Sequence, residues 1–376
     1  MFITESFNAQ LDDLLIRICE KLQISESQHK QATERYNAAG KWLAQDDGIL
    51  SKYNPVVYPQ GSLCIGTTVR PLKYQEYDVD LVCELEIAYE KSDPVAVLNA
   101  IETQLKQDKT YESMIEKKNR CIRLNYANEF HMDILPACPN GFKNNGKLKV
   151  PDRELKEWKD SNPKGYAAWF QGKVDLCRAT FIKAAEDVEP LPQREPLGKK
   201  LPLKRVVQLI KRYRDVYFKK DEKSAPISIV LTTLAGYHYK GQISVNESLK
   251  YALSKIVEII PQKGRLVVIN PTNTDEDLSE RWDDDMASYF KFVKWINEFN
   301  KIWDVINKSC GIPNITKILK EMFGEQVTDE ALKEQEIIIK KAREEKLLGI
   351  TTGTGILSST SKINSIPVKK NTFYGA

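Results

Sequence analysis

Apolar residues recur at helical spacing near the start of the chain. Leu11, Leu14, Leu15, Ile18 and Leu22 share one stripe, and the Gln-, Ala- and Glu-rich text after them extends the helical reading over residues 5–47. Tyr53-Asn54-Pro55 breaks the pattern. The period then shortens to that of strands: Val56-Val57-Tyr58 leads into Gly61-Ser62, and Tyr77-Asp78-Val79-Asp80-Leu81-Val82-Cys83-Glu84-Leu85 is a β-rich run. Asp93-Pro94 opens a helix over 94–107 as N-cap and first-turn residues. Cys121–Tyr126 and Phe130–Leu135 read as a further pair of strands.

Residues 136–165, rich in Pro, Gly, Asn and Lys, read as a long surface connection. Pro190, Pro192, Pro196 and Pro202 then lead into a mostly helical part, with helices predicted over 203–219, 226–240, 246–260 and 284–308. The run 329–347 is a highly charged helix with a solvated face. Residues 350–376 contain no acid and too little apolar area to offset the entropy of ordering, so this tail is predicted to be disordered.

Composition narrows the class without choosing within it. The 376 residues suffice for two lobes, and 41% hydrophobic content can fill their cores. Lys and Arg number 56 against 52 Asp and Glu, a net charge of +4. That is short of a nucleic-acid coat, so nucleic acid is not required, and it suits a basic cleft for a triphosphate. Seven scattered cysteines, no C-x-x-C pair and three histidines argue against structural zinc or a disulfide framework, and reduced, buried thiols are expected. The N-terminus lacks the basic and apolar regions of a signal peptide, and no apolar run approaches the ~20 residues of a membrane span. A cytoplasmic protein is expected.

The chemistry gathers around Gly61-Ser62 and Asp78-Val79-Asp80. Side chains at i and i+2 of a strand share a face, so Asp78 and Asp80 present two carboxylates together while Val79 turns to the opposite layer. Such a like-charged pair is costly without counter-ions, and divalent metal answers that cost. Magnesium, or manganese in its place, favours carboxylate and phosphate oxygens, and two such ions hold the attacking and leaving oxygens of an in-line phosphoryl displacement. The glycine-serine turn lets backbone N–H groups and the Ser62 hydroxyl approach phosphates. Asp133, on the strand Phe130–Leu135 with Met132 and Ile134 facing the core, is the third candidate: a metal ligand and proton acceptor for the attacking hydroxyl. A strand-end aspartate capping the Pro136 loop is the plain structural alternative. Asp78, Asp80 and Asp133 are thus the candidate catalytic and metal-binding residues.

The block Tyr58-Pro59-Gln60-Gly61-Ser62-Leu63-Cys64-Ile65-Gly66-Thr67-Thr68, followed by Tyr77-Asp78-Val79-Asp80-Leu81-Val82, resembles the polymerase-β-type nucleotidyltransferase signature. More narrowly it resembles the bacterial relatives of cyclic GMP-AMP synthase and oligoadenylate synthase, which make cyclic oligonucleotide signals in anti-phage defence. Val150-Pro151-Asp152-Arg153 through Trp158, Asn162–Tyr166 and Trp169-Phe170 support the narrower match. So does Val268-Ile269-Asn270-Pro271 with Asp277-Leu278 and Arg281-Trp282. The resemblance spans roughly residues 50–310.

It implies an α/β (α+β) fold: N-terminal helices over 1–50 bracing both lobes, a polymerase-β-like catalytic lobe with a mixed sheet over 51–200, a helical lobe over 201–348, and the tail over 349–376. It also implies nucleoside triphosphates as substrates, a cyclic di- or oligonucleotide product, and a downstream effector that binds it. Gln60, Gly61 and Ser62 would contact the triphosphate, and Lys211 and Ser228 resemble the family's phosphate-gripping lysine and serine. On residue chemistry alone, Lys211 in a cluster of Lys and Arg reads as a solvated face, Ser228 as a first-turn helix residue, His131 as a hydrogen-bonded structural histidine, and Tyr166, Trp158 and Trp169 as loop anchors, with nucleobase stacking their functional alternative. The tail, ending Phe373-Tyr374-Gly375-Ala376, resembles substrates of an associated ubiquitin-transfer-like enzyme; a frayed terminus is the plain alternative. Two other functions compete: a nucleotidyltransferase acting on RNA ends or another acceptor, and a nucleic-acid or partner-binding sensor with little turnover.

Overall fold

The computed structural model describes residues 2–72, 76–127, 129–141, 146–186, 200–309 and 311–345, with three short strands beyond them. The first helix, α1 (Phe2–Lys21), buries Leu11, Leu14, Leu15 and Ile18. A second, α2 (Glu26–Leu43), begins at a capping box: the Gln28 N–H donates to Ser25 Oγ and the Ser25 N–H to Gln28 Oε1. The helical text over 5–47 is therefore two helices, because Ser25 caps a fresh start.

The chain next forms β1 (Val56–Gln60), the single turn α3 (Gly61–Cys64), β2 (Tyr77–Glu84), α4 (Pro94–Lys106), α5 (Lys109–Glu112), β3 (Ile115–Lys117), β4 (Ile122–Tyr126) and β5 (Phe130–Pro139). Asp93 caps α4, its Oδ1 accepting the Val95 N–H at 3.0 Å, with Pro94 at the first helical position. The strand order is β1-β2-β5-β4-β3, with β2 and β5 parallel and the other pairs antiparallel. One face of this mixed sheet buries Val79, Leu81, Leu124, Met132 and Ile134 against α2 and α4, forming the first core.

Part of the predicted surface connection is sheet. From the end of β5 the chain adds the hairpin β6 (Leu148–Asp152) and β7 (Glu157–Ser161), pairing Cys138 with Lys149 and Pro139 with Leu148, and α6 (Pro163–Glu186) follows at once. Leu148 and Val150 are buried beside Val82 and Ala137. Two apolar positions interrupted by Lys149 and followed by Pro151 are too weak a period-2 signal to stand out among glycines and asparagines.

The remainder is α7 (Pro202–Tyr217), α8 (Ser228–His238), α9 (Val245–Glu258), the hairpin β8 (Ile269–Asn270) and β9 (Asn273–Asp277), α10 (Arg281–Asp284), α11 (Met286–Lys308), α12 (Ile312–Phe323) and α13 (Glu325–Glu344). A second core fills it, with Phe292, Trp295, Phe299 and Trp303 of α11 fully buried and the leucines of α1 belonging to the same cluster. Thus α1 packs with the helices while α2 lies on the sheet. Helix α13 is not solvated all round: Thr328 and Ala331 are buried, Arg17 donates to Glu334 at 3.1 Å, and Gln335 donates to the Gln10 carbonyl at 3.0 Å. Its apolar stripe is narrow, which is why its charge dominates the sequence.

Among the described residues no helix is long and apolar enough to cross a membrane. The described cysteines are free thiols; Cys19, Cys83, Cys138 and Cys177 are buried as expected, whereas Cys121 is half-buried and Cys64 is exposed. Within the tail, β10 (Gly349–Thr351) pairs antiparallel with β11 (Leu357–Ser358) and β12 (Ser365–Pro367). Backbone pairing thus occurs inside the stretch predicted to be disordered; Asn371–Ala376 lie outside the described residues.

Candidate active site

Strand register assembles the acidic residues. In the parallel β2–β5 pair, Asp78 lies opposite His131 and Asp80 opposite Asp133. In the antiparallel β4–β5 pair, Arg123 lies opposite Asp133. Alternation therefore sends Val79 and Met132 into the core and sets Asp78, Asp80, His131, Asp133 and Arg123 on the other face.

The charges are balanced unevenly. Arg123 holds Asp133 with two hydrogen bonds, Nε to Oδ1 at 2.7 Å and Nη2 to Oδ2 at 2.8 Å, and reaches Asp78 Oδ1 at 3.3 Å. The neighbouring carboxylates keep the Arg123 guanidinium strongly protonated. His131 sits 2.8 Å from Glu76 through Nε2 and 3.7 Å from Asp78 through Nδ1, which fits a hydrogen-bonded structural role. Among the described residues no cation forms a salt bridge with Asp80. Burial, then repulsion from Asp78 and Asp133, pushes its carboxyl up to about 7. Asp78 opens into the cleft with a 56% exposed side chain, yet the protein walls still raise its carboxyl, with Asp133 adding repulsion.

Gly61 brings the backbone against this pair. It directly follows Gln60, whose register partner is Asp80, and it adopts φ +65. Any Cβ there would collide with the Asp80 carboxylate, so both the conformation and the approach require glycine. Ser62 follows, with Oγ 3.2 Å from Thr68 Oγ1, and the Thr67 N–H donates to the Ser62 carbonyl at 2.9 Å.

Helix α7 holds that loop from the other side. Gln208, Lys211 and Arg212, at i, i+3 and i+4, share one face. Gln208 donates to the Thr68 carbonyl at 2.7 Å, Lys211 Nζ to Thr67 Oγ1 at 3.1 Å, and Arg212 to the Arg70 carbonyl at 2.6 Å. Lys211 is only 5% exposed, and burial, aided by repulsion from Arg214, lowers its ammonium to about 7. The solvated face that residue chemistry alone suggests for Lys211 is thus a buried contact between lobes. One turn on, Arg214 is fixed by Asp215 and donates to Ser228 Oγ at 2.7 Å at the start of α8.

Between these elements lies a cavity of about 940 Å³, near the top of the roughly 300–1,000 Å³ range of small-molecule sites. Its wall contains seven of the eight residues singled out from sequence: Gln60, Gly61, Ser62, Asp78, Asp80, Lys211 and Ser228. Asp133 is the exception. It adjoins Asp80 in register but stands behind Arg123, which lines the cavity in its place. Among the described residues no group of three or more His, Cys, Asp or Glu side chains is arranged to hold a metal ion by itself. Hard oxygen donors on one strand face nevertheless suit magnesium, which is commonly bound by one or two carboxylates plus substrate phosphates.

Arg123, Arg214 and Glu276 are cavity residues that sequence reading missed. Arg123 was recoverable: pairing the two predicted strands across their short turn sets it opposite Asp133. Arg214 and Glu276 had no local signal beyond ordinary charge.

Two lobes closed over paired strand aspartates, with a glycine-serine turn on one side and a lysine and serine on the other, define a polymerase-β-like nucleotidyltransferase. Residues 9–173 match the Second Messenger Oligonucleotide or Dinucleotide Synthetase domain. Over 381 aligned residues the chain is 33% identical to the c-di-GMP synthase of Roseivirga ehrenbergii, covering 100% of both chains. It is 24% identical to the cyclic dinucleotide synthase CdnG of Bradyrhizobium diazoefficiens, covering 88% of this chain and 84% of the other. Among solved structures, CdnG in complex with GTP superposes with a TM-score of 0.71 at 23% identity, covering 87% of this chain and 98% of the other. Escherichia coli DncV in its 3′-deoxy GTP bound form gives 0.57 at 19% identity, covering 88% of each chain. The chain belongs to the second-messenger oligonucleotide or dinucleotide synthetase family of nucleotidyltransferases.

Proposed function

We propose that this chain joins two nucleoside triphosphates into a cyclic dinucleotide in a magnesium-dependent reaction, with guanine nucleotides the first substrates to test. The observation that carries the reading is the placement of Asp78 and Asp80 on one strand face, in register with Asp133 and across the cavity from Lys211 and Ser228. The name of the 33% identical relative supports the guanine preference.

In this reading Gln60, Ser62 and the backbone after Gly61 bind the triphosphate from the sheet side, and Lys211, Arg214 and Ser228 bind it from α7 and α8. Magnesium, or manganese in its place, would be held by Asp78, Asp80 and Asp133 and supplies, when bound, the charge that polarises the α-phosphate and steadies departing pyrophosphate. Asp133 accepts the proton of the attacking hydroxyl once it exchanges Arg123 for the reacting groups. Two successive attacks, each forming a phosphodiester and releasing pyrophosphate, close the ring. Family membership supports a role in anti-phage signalling, in the cytoplasm, through an effector that reads the product. A ubiquitin-transfer-like enzyme acting on the C-terminal tail belongs to the same reading.

Incubating the full chain with labelled GTP and ATP, magnesium and then phosphatase tests it. A phosphatase-resistant product of dinucleotide mass is expected. Complete digestion of every labelled species would contradict the proposal.

A further inference from the structure

We infer that Glu276 selects the base, its carboxylate accepting the N1–H and N2–H donors on the Watson–Crick edge of guanine. The inference rests on the proposed synthase reading and adds to it the chemistry of base choice.

Glu276 lies on β9 and lines the same cavity as the aspartates, but it comes from the helical lobe rather than the sheet. Its neighbours fix its presentation. The Asn270 Oδ1 accepts from the Thr272 N–H at 2.9 Å and from Thr272 Oγ1 at 3.0 Å, which sets the amide so that Nδ2 donates to Glu276 Oε2 at 2.7 Å. Asn270 is itself buried at 2% exposure, so this support is part of the fold. Glu276 forms no salt bridge among the described residues. Of the other acids on the wall, Asp215 pairs with Arg214, Glu76 with His131 and Asp78 with Arg123, while Asp80 belongs to the proposed metal site.

A carboxylate walled by protein with one amide donor is short of hydrogen bonds. Burial pushes Glu276 up to about 7, opposed by Asn270 and by Arg120 and reinforced by Asp160 and Glu280. A ligand that offers N–H donors satisfies the ionised form. Guanine presents two such donors side by side. Adenine and cytosine each offer one donor beside a ring nitrogen lone pair that would face the carboxylate, and uracil offers one N–H between two carbonyls. A carboxylate with acceptor capacity left on both oxygens and no salt bridge among the described residues therefore complements guanine alone among the four bases.

Equilibrium binding of non-hydrolysable GTP and ATP analogues to the full chain, with magnesium, tests the assignment. Glu276→Gln keeps the shape but replaces one acceptor by a donor. Its affinity for the GTP analogue is expected to fall about 10–100-fold, with the ATP analogue changing less than about 3-fold. Unchanged GTP-analogue binding, equal loss of both analogues, or a wild-type preference for the ATP analogue would each overturn it. Should Glu276→Gln fail to fold, Glu276→Asp, one methylene shorter, carries the test: selective weakening toward the GTP analogue supports the assignment, and no change or equal loss overturns it. Product analysis separates this claim from its parent. A cyclic product whose base composition is the same in wild type and Glu276→Gln removes the base assignment alone. Selective GTP-analogue binding without any phosphatase-resistant product removes the synthase reading alone.

Discussion

Arg123 and Asp133 face each other across the β4–β5 pair and are joined by two hydrogen bonds at 2.7 and 2.8 Å, while the same guanidinium reaches Asp78 at 3.3 Å. Three carboxylates on one sheet face repel one another, and Arg123 supplies the nearest compensating charge. Arg123→Gln should lower stability without metal by about 1–3 kcal/mol, the usual loss for charge-assisted hydrogen bonds. The loss should shrink in saturating magnesium, which takes over the compensation. Urea unfolding in chelator and in magnesium checks this; equal losses in both conditions would contradict it.

Gly61 lies against Asp80 with φ +65. Gly61→Ala adds backbone strain of about 1 kcal/mol and forces the carboxylate aside. The variant should remain folded by circular dichroism yet lose about 100-fold or more in turnover, because reacting groups tolerate little misplacement. Near-normal turnover would show that the close approach has no catalytic consequence.

Asp80 gives stability a pH signature. Its carboxyl is raised from 3.8 to about 7, so the folded, metal-free chain keeps a proton that the unfolded chain has already lost. Its contribution is fully present below about pH 4 and is lost as pH rises toward 7. Lys211, lowered from 10.5 to about 7, acts with the opposite sign and only above that pH, where its contribution returns as pH rises toward 10.5. The stability of wild type minus that of Asp80→Asn should therefore fall between pH 5 and 7, and magnesium should flatten the fall because it binds the deprotonated carboxylate. A flat or rising difference in chelator would contradict the assignment.

Lys211 is a buried ammonium whose hydrogen bonds among the described residues go to Thr67. Lys211→Met removes those bonds but also the cost of burying the charge, so stability should change by no more than about 1 kcal/mol. Its KM for triphosphate should rise about 10-fold or more, since a cation facing the phosphates is lost. Steady-state kinetics with thermal unfolding separates the two effects; an unchanged KM would make Lys211 purely a fastener between lobes.

The fold was legible where one face is strongly apolar. The stripe of α1, the core-facing Val79, Met132 and Ile134, and the Asp93-Pro94 start of α4 all follow from residue spacing. Asp78 and Asp80 came with them, because period 2 fixes which side chains share a strand face; Gly61 and Ser62 stood out as a turn, and Gln60 followed only from the family resemblance. The β6–β7 hairpin was not legible: Leu148 and Val150 are too few to mark a strand beside Lys149 and Pro151. The docked face of α13 was hidden in the same way by charge. Lys211 shows a different limit. Its neighbours in sequence are basic, and only the helix–loop contact with Thr67 reveals that it is buried. The Arg123 contact that keeps Asp133 from the cavity becomes legible only when the two predicted strands are paired across their turn, because it depends on their register.

The central claim is that Asp78 and Asp80 carry the metal-dependent transfer. Mass spectrometry of the phosphatase-resistant product from magnesium and GTP, for wild type and for the double variant Asp78→Asn, Asp80→Asn, tests it most directly. A cyclic dinucleotide from wild type and a loss on the order of 10³-fold or more in the folded variant are predicted. Full-rate turnover by the double variant would contradict the account.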